Sequence, residues 1–494
     1  MRFPGRRLWR TRSADRRLFS PGDQSGTRLG TDDGFRAVID TRGAIEVAGR
    51  NYVVDWWIGG DDKWYAPSSE VAVRQTRPSA APVVVTRMRV HGADVVTTTW
   101  AAQADGSQGP AVVVEVSNET AVPVAVAVAV RAASGDQIRH MTVDGWRLIA
   151  DGHAAVVVDR KPGRYALVDA TKDLWDEVSG GRAMVQSPGP VQCRTGSAAG
   201  ALVVPLPHRS TMRFAVPAGD LMDNPAVVLP SSDRVVAGWS SRLDRAATVE
   251  LPDTATPQRM LVDLLLAEPE PAGVVELARW GLETEASIRL AALDLGAGSE
   301  PLRAAAAFWT LTRCREAFDG VGAVSLDDLV RSAGDDPAAL ESLVSLASLF
   351  DATGDQLAAD DVRRQVSARG AAAIGFSYAP APKGDPDTCP AAGLRRVAGL
   401  AVRPSADGLD LLPALVPDVW LGRPVEVHGL ATPVGRLGFA LRWHGNRPAL
   451  LWQLERHDGV EGEVVLRVPG LDTAFSSTSV SGEVLLAVPA TAST

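Results

Sequence analysis

The chain has 494 residues, of which 46% are hydrophobic and 22% charged, with a formal net charge of −9. That length exceeds one ordinary core and points to about two to four domains. The acidic balance argues against nucleic acid as a partner of the folded body, because phosphate binding is driven by cationic surface. No apolar run approaches the ~20 residues that span a bilayer, so no membrane partner is expected. The three cysteines, Cys193, Cys314 and Cys389, lie far apart and offer neither metal spacing nor a disulfide framework. A reducing, cytoplasmic setting is the expectation.

Residues 1–30 form an Arg-rich arm without the apolar stretch of a secretory signal, and they read as a solvated, disordered tail. Asn118-Glu119-Thr120 then has no glycosylation meaning. Residues 31–247 read as a β-sandwich, with short Val-rich runs between Gly, Pro, Asp and Asn clusters. The sharpest local expectation is a hairpin of Ala111–Val116 and Val122–Arg131 across the polar turn 117–120. Its second arm alternates Val124, Val126, Val128 and Val130 with Ala125, Ala127 and Ala129. Period-two alternation puts valines on one face and alanines on the other, and both apolar faces call for cover. Near Trp239–Leu243 the texture changes, and Thr248–Asp253 is expected to close this β region.

Residues 248–378 carry helical periodicity. Helices are expected at Gln258–Ala267, Ala272–Trp280 (ending at Gly281), Glu283–Leu293, Pro301–Phe318, Ser325–Ser332, Pro337–Phe350 and Gln356–Arg369. Asp336 and Asp355 are set as N-caps of the last two, and Leu357, Val362 and Val366 are expected to point inward. Residues 379–394 read as a Pro/Gly/Asp-rich linker. Residues 395–494 return to β structure. In Leu411–Glu455 a meander runs through Val425–His428, turns at Thr432-Pro433, rises through Gly435–Trp443, turns at His444-Gly445-Asn446 and returns through Pro448–Trp452. The final strands are expected at Gly462–Val468 and Gly482–Val488.

Several of these stretches resemble one family. The run from Trp56 to Tyr65 resembles a loop of its N-terminal sandwich, as does Val114–Asn118. Trp239 followed by Val249–Asp253 resembles its entry into a helical toroid. Leu411–Glu455, Gly470–Phe475 and Gly482–Leu486 resemble its C-terminal β-domain. The family is that of the six-hairpin glycosidase-like proteins, with the β-sandwich, (α/α) toroid and C-terminal β-domain of glucoamylase or maltose phosphorylase. The resemblance implies a multidomain α+β fold: an N-terminal β-sandwich, a truncated (α/α) helical domain and a C-terminal β-sandwich. It also implies a place in carbohydrate metabolism, where such enzymes act as inverting hydrolases or phosphorylases.

The toroid is where this chain departs from the family. Twelve helices with their loops need roughly 300 residues, and residues 257–370 hold barely half of them. Inversion needs an acid and a base about 6.5–9.5 Å apart on opposite sides of the sugar, and a half-ring has no opposing wall. No catalytic residue is carried over from the family. Glu283, with Glu285 near it, is a weak acid/base candidate that reads more readily as a first-turn acid on the helix dipole. Glu426 and His428 alternate on one strand and form a weak carboxylate–histidine candidate. The seven histidines show no ligand spacing, so no metal or cofactor is expected. Trp56, Trp57, Asp61, Asp62 and Trp64 are the carbohydrate-contact candidates, because a sugar offers an apolar C–H face to an aromatic ring and hydroxyls to carboxylates.

The resemblance, with its shortened toroid, implies a glycoside-hydrolase-like pseudoenzyme with a binding or scaffolding role and an oligo- or polysaccharide partner. Two alternatives stand beside it. One is an active inverting glycosidase or phosphorylase with a shallow site. The other is a helical protein-interaction module with a protein partner, for which Leu340–Val366 resembles a single tetratricopeptide-type unit.

Overall fold

The computed structural model describes residues 26–488 apart from 33, 91, 104–108, 220–228, 253, 255–256, 296, 316–325, 335, 369–378, 387, 415–419 and 421. The chain forms two compact units, Met1–Ser240 and Ser241–Thr494. The basic arm falls outside the described residues up to position 25, and Gly26 already starts a strand.

The first unit holds two large sheets. The first sheet runs β1 (Gly26–Gly30), β2 (Arg36–Asp40), β3 (Ile45–Val47), β4 (Tyr52–Gly59), β10 (Val124–Ala132), β16 (Ala199–Leu206) and β14 (Arg164–Val168), with β5 (Trp64–Tyr65) paired to β4. The second runs β15 (Val191–Gln192), β11 (His140–Asp144), β12 (Arg147–Ala150), β13 (His153–Val158), β17 (Thr211–Pro217), β9 (Pro110–Asn118), β8 (Ala93–Gln103), β7 (Val83–Val90) and β6 (Val73–Thr76). Inward residues of both sheets share one core: Trp56, Val126, Val128 and Val130 from the first, Val112, Val114, Val116 and Phe214 from the second. Sheet-on-sheet packing with alternating inward residues is what a sandwich requires.

The alternation in β10 behaves as its spacing dictates. Its valines enter the inter-sheet core, while Ala127 and Ala129 face the other way. That outer face is covered in part by a short helix, α1 (Leu174–Ser179), through Leu174 and Val178. Asp173 caps α1, its carboxylate accepting from the Asp176 N–H at 3.1 Å.

The expected hairpin is corrected. β9 pairs with β8 and β17, whereas β10 pairs with β4 and β16, so the two arms lie in opposite sheets. The reason is visible in both arms, since each presents a complete valine face and each face needs an opposing layer. The connection is a knot of polar bonds: buried Asn118 donates to the Val122 and Pro207 carbonyls at 2.9 and 3.1 Å, and the Thr120 hydroxyl donates to Asn118 at 2.7 Å.

The first unit ends within α2 (Ser232–Leu243), whose last three residues belong to the second, and the sequence shows only a change of texture there. Trp239, Val235 and Val236 pack on a second-sheet cluster containing Trp100 and Val113.

The first strand of the second unit is β18 (Thr248–Glu250), which does not close the N-terminal β region. It pairs with β21 (Val425–Thr432), opposite Glu426–His428. Helices follow at α3 (Pro257–Leu266), α4 (Pro271–Arg279), α5 (Glu283–Ala291), α6 (Ser299–Thr312), α7 (Leu326–Ala333), α8 (Pro337–Thr353) and α9 (Gln356–Ala368). Each meets its expected counterpart, except that α6 stops at Thr312, where Arg313 turns left-handed, short of the expected Phe318; the start of Ser325–Ser332 lies outside the described residues. Gly281 sits at φ +77° just past α4, a conformation a side chain would strain. The caps are those expected: Asp336 accepts from the Ala338 N–H at 3.1 Å, and Asp355 from the Ala358 N–H at 3.1 Å. Val362 and Val366 are buried, but Leu357 is 84% exposed. It lies in the first turn of α9.

The stretch read as a linker ends inside a helix. α10 (Pro390–Ala401) starts on a proline, which suits a first helical turn, and buries Leu394, Val397 and Ala401. Among the described residues helix contacts link α3–α10–α4–α6–α8–α9 in a row, with α5 set against α4, and α4 and α6 also lean on β21.

The meander forms as its turns predict. β21, β22 (Gly435–His444) and β23 (Arg447–Arg456) pair in antiparallel register. With β18 and β26 (Ser481–Leu485) they make a five-stranded sheet. β19 (Val402–Ser405), β20 (Gly408–Leu411), β24 (Val465–Val468) and β25 (Asp472–Ser477) make a four-stranded one. β25 lies between the two expected final strands and carries Ser476 and Ser477 at its end. Val425, Leu437, Phe439, Leu441 and Leu450 are buried along the meander's inner face.

Candidate functional site

The Trp-rich loop belongs to the first unit and is built by β4 and β5. Alternation along β4 sends Trp56 into the inter-sheet core and Trp57 to the outer face. Both rings are 1% exposed. The structure thus closes these two candidates off from solvent and leaves Asp61, Asp62 and Trp64 as the accessible members. The tip folds back where the Gly60 N–H donates to the Lys63 carbonyl at 2.9 Å. Asp61, Asp62 and Lys63 are exposed there, and Trp64 is half-buried.

Two interactions stiffen this tip. The Tyr65 hydroxyl donates to the Asp62 carboxylate at 2.7 Å. The Lys63 ammonium meets Glu70 at 2.9 Å and lies 4.4 Å from the Tyr65 ring centroid. Trp64 lies directly over Gly59: a Cβ on that glycine would fall 2.9 Å from the indole. Gly59 is what lets the ring rest against the strand.

One aromatic went unread in the sequence. Trp175 on α1 meets Trp57 edge-on, with centroids 5.1 Å apart and planes at 81°. It is half-buried and packs on the same small-residue face as Trp64. The available signal was Asp173 as a cap followed by Leu174 and Val178 at helical spacing.

Beside Trp57 lies a buried carboxyl that the sequence reading also passed over. Asp55 is 3% exposed and accepts from the Trp56 backbone N–H at 2.8 Å and the Trp57 indole N–H at 3.3 Å. Burial pushes its carboxyl above the usual range. Arg131 pulls it down, Asp40 pushes it up further, and the two N–H donors lower it.

The weak acid/base candidates lie in the second unit, and arginine holds each carboxylate. Glu283 meets Arg436 at 2.5 Å. Glu285 is 8% exposed and lies between Arg242 at 3.1 Å and Arg245 at 3.2 Å. Glu426 is paired with Arg442 and stands 3.6 Å from His428, whose side chain is 64% exposed. Glu283 and Glu426 do not share an anchor. Arg436 and Ala440, the latter opposite Glu426, are four positions apart on β22, about 13 Å at strand rise.

Among the described residues no group of three or more His, Cys, Asp or Glu could hold a metal ion. All three cysteines are free, and His91 lies outside the described residues. Cys193 is 5% exposed, and the Thr195 hydroxyl 3.1 Å from its sulfur draws the thiol down to about 7. No described helix is long and apolar enough to cross a membrane.

No protein-family model matches the chain, and no curated protein does. Among solved structures it is similar to a bacterial glucoamylase complexed with acarbose, at 9% identity and a TM-score of 0.48, covering 72% of this chain and 68% of that one. It is also similar to a GH92-family glycosyl hydrolase, at 12% identity and a TM-score of 0.22, covering 70% of this chain and 53% of that one. Both superpositions are loose, and the fold described here rests on the chain's own strands and helices.

Proposed function

We propose that this chain is a glycosidase-like protein of carbohydrate metabolism that binds an oligo- or polysaccharide without turning it over. The helical part is read as a shortened toroid and the accessible loop residues Asp61, Asp62 and Trp64 as sugar contacts. The observation that carries the loss of turnover is the state of the acids. Glu283, Glu285 and Glu426 are each engaged by arginine. The sharpest case is Glu276 of α4, which is fully buried between Arg279 at 3.0 Å and Arg395 at 2.8 Å. An inverting pair instead needs two carboxyl groups facing one cleft with room for water between them.

The test is release of sugar by the full chain from soluble α- and β-glucans, with and without inorganic phosphate. The expectation is no release above a protein-free blank. Release that Glu283→Ala or Glu426→Ala abolishes would establish the active-enzyme alternative. The protein-interaction alternative predicts an exposed apolar helix face. On α9 only Leu357 is a strongly exposed large apolar residue among the described ones.

A further inference from the structure

The Gly59–Tyr65 loop is one margin of a wider aromatic surface on the first sheet. The outer side of β4, β10, β16 and β14 is paved with short side chains, among them Ala127, Ala129, Ala166 and Ala201. Against this pavement sit three indoles: Trp57, buried, and Trp64 and Trp175, both half-buried. Trp175 is held edge-on against Trp57, and Trp64 lies over Gly59, two residues along the strand from Trp57 on the same face. The two accessible rings are therefore fixed by separate elements, β5 and α1, around one buried ring.

Exposed acids flank both rings: Asp61 and Asp62 beside Trp64, Asp173 and Asp176 beside Trp175 in sequence. The nearby cations are already engaged, Lys63 with Glu70, and Lys172 and Arg182 both with Glu177. We infer that Trp64 and Trp175 form a single surface for a neutral oligosaccharide of at least two sugar rings. This rests on the carbohydrate reading above and extends it from one loop to two elements. Indole faces suit the apolar C–H face of a pyranose, and exposed carboxylates accept from its hydroxyls. The same acids repel an anionic glycan, so uronic or sulfated chains are excluded. Two fixed rings select length, because a monosaccharide covers only one of them.

The experiment is titration calorimetry on the full chain with neutral linear heptasaccharides of α-1,4- and β-1,4-linked glucose, with glucose itself and with a polyuronic heptasaccharide. One of the neutral heptasaccharides is expected to bind, while glucose and the polyuronate do not. Trp64→Leu and Trp175→Leu, which keep apolar cover on the pavement, should each weaken binding by about tenfold or more. Trp146→Leu, which removes an exposed indole in the turn between β11 and β12, should leave it unchanged. Trp175→Phe should retain part of the affinity, and circular dichroism checks that each variant is folded. Heptasaccharide binding that Trp175→Leu leaves within about twofold of the parent would overturn the two-ring surface while sparing the loop reading. Binding of glucose as tight as that of the heptasaccharide would also overturn it. A parent chain that binds no glycan sinks the carbohydrate reading itself.

Discussion

Asp55 shows how a single residue ties the aromatic face to pH. Its carboxyl is buried, and its folded pKa is raised above 3.8, chiefly by burial. The folded chain therefore keeps a proton that the unfolded chain has already released. Stability then falls as pH rises from about 4 through the folded pKa. Asp55→Asn keeps an acceptor for the Trp56 N–H and removes the charge. Warming from about pH 4 to pH 7 buffers should thus show a larger drop in melting temperature for the parent than for Asp55→Asn. Parallel slopes would mean that the carboxyl is not strained by its burial. Trp56 and Trp57 mark what the sequence could tell at this scale. Alternation assigns the two rings to opposite faces, but it is silent on what covers each face. Trp57 is hidden by α1 and its neighbours, an arrangement set by residues more than a hundred positions away.

Single elements were legible where their own residues state a boundary. Pro337 after Asp336, Gly281 after Trp280, and the turns of the meander all fix local geometry without help from distant chain. Elements were misread where partners decide. β9 and β10 satisfy a hairpin pattern, yet their valine faces meet across the sandwich. α10 hid behind a Pro/Gly/Asp-rich approach, and its cover comes from α3 and α4. The tie between α4 and α10 is strong enough to test. Glu276 is fully buried with Arg279 and Arg395 against it. Glu276→Ala leaves two guanidinium groups facing each other without their anion, at a cost of about 3–5 kcal/mol. Urea unfolding monitored by circular dichroism reads this directly. A loss below about 1 kcal/mol would show that the helices hold together by apolar contact alone.

Across the whole molecule, order along the chain was the most legible property: strands, then helices, then strands. The resemblance to six-hairpin proteins rests on loop and strand markers; residues 241–494 hold helices and two sheets. What the sequence could not supply is which surface would serve the proposed binding. The helical row offers buried and arginine-held carboxylates, while the first sheet offers two half-buried indoles with exposed acids. Hydrogen exchange of the full chain, with and without a saturating neutral heptasaccharide, decides between these surfaces. The account predicts slowed exchange in segments 59–66 and 173–183. Protection confined to the helices between 257 and 401 would contradict it.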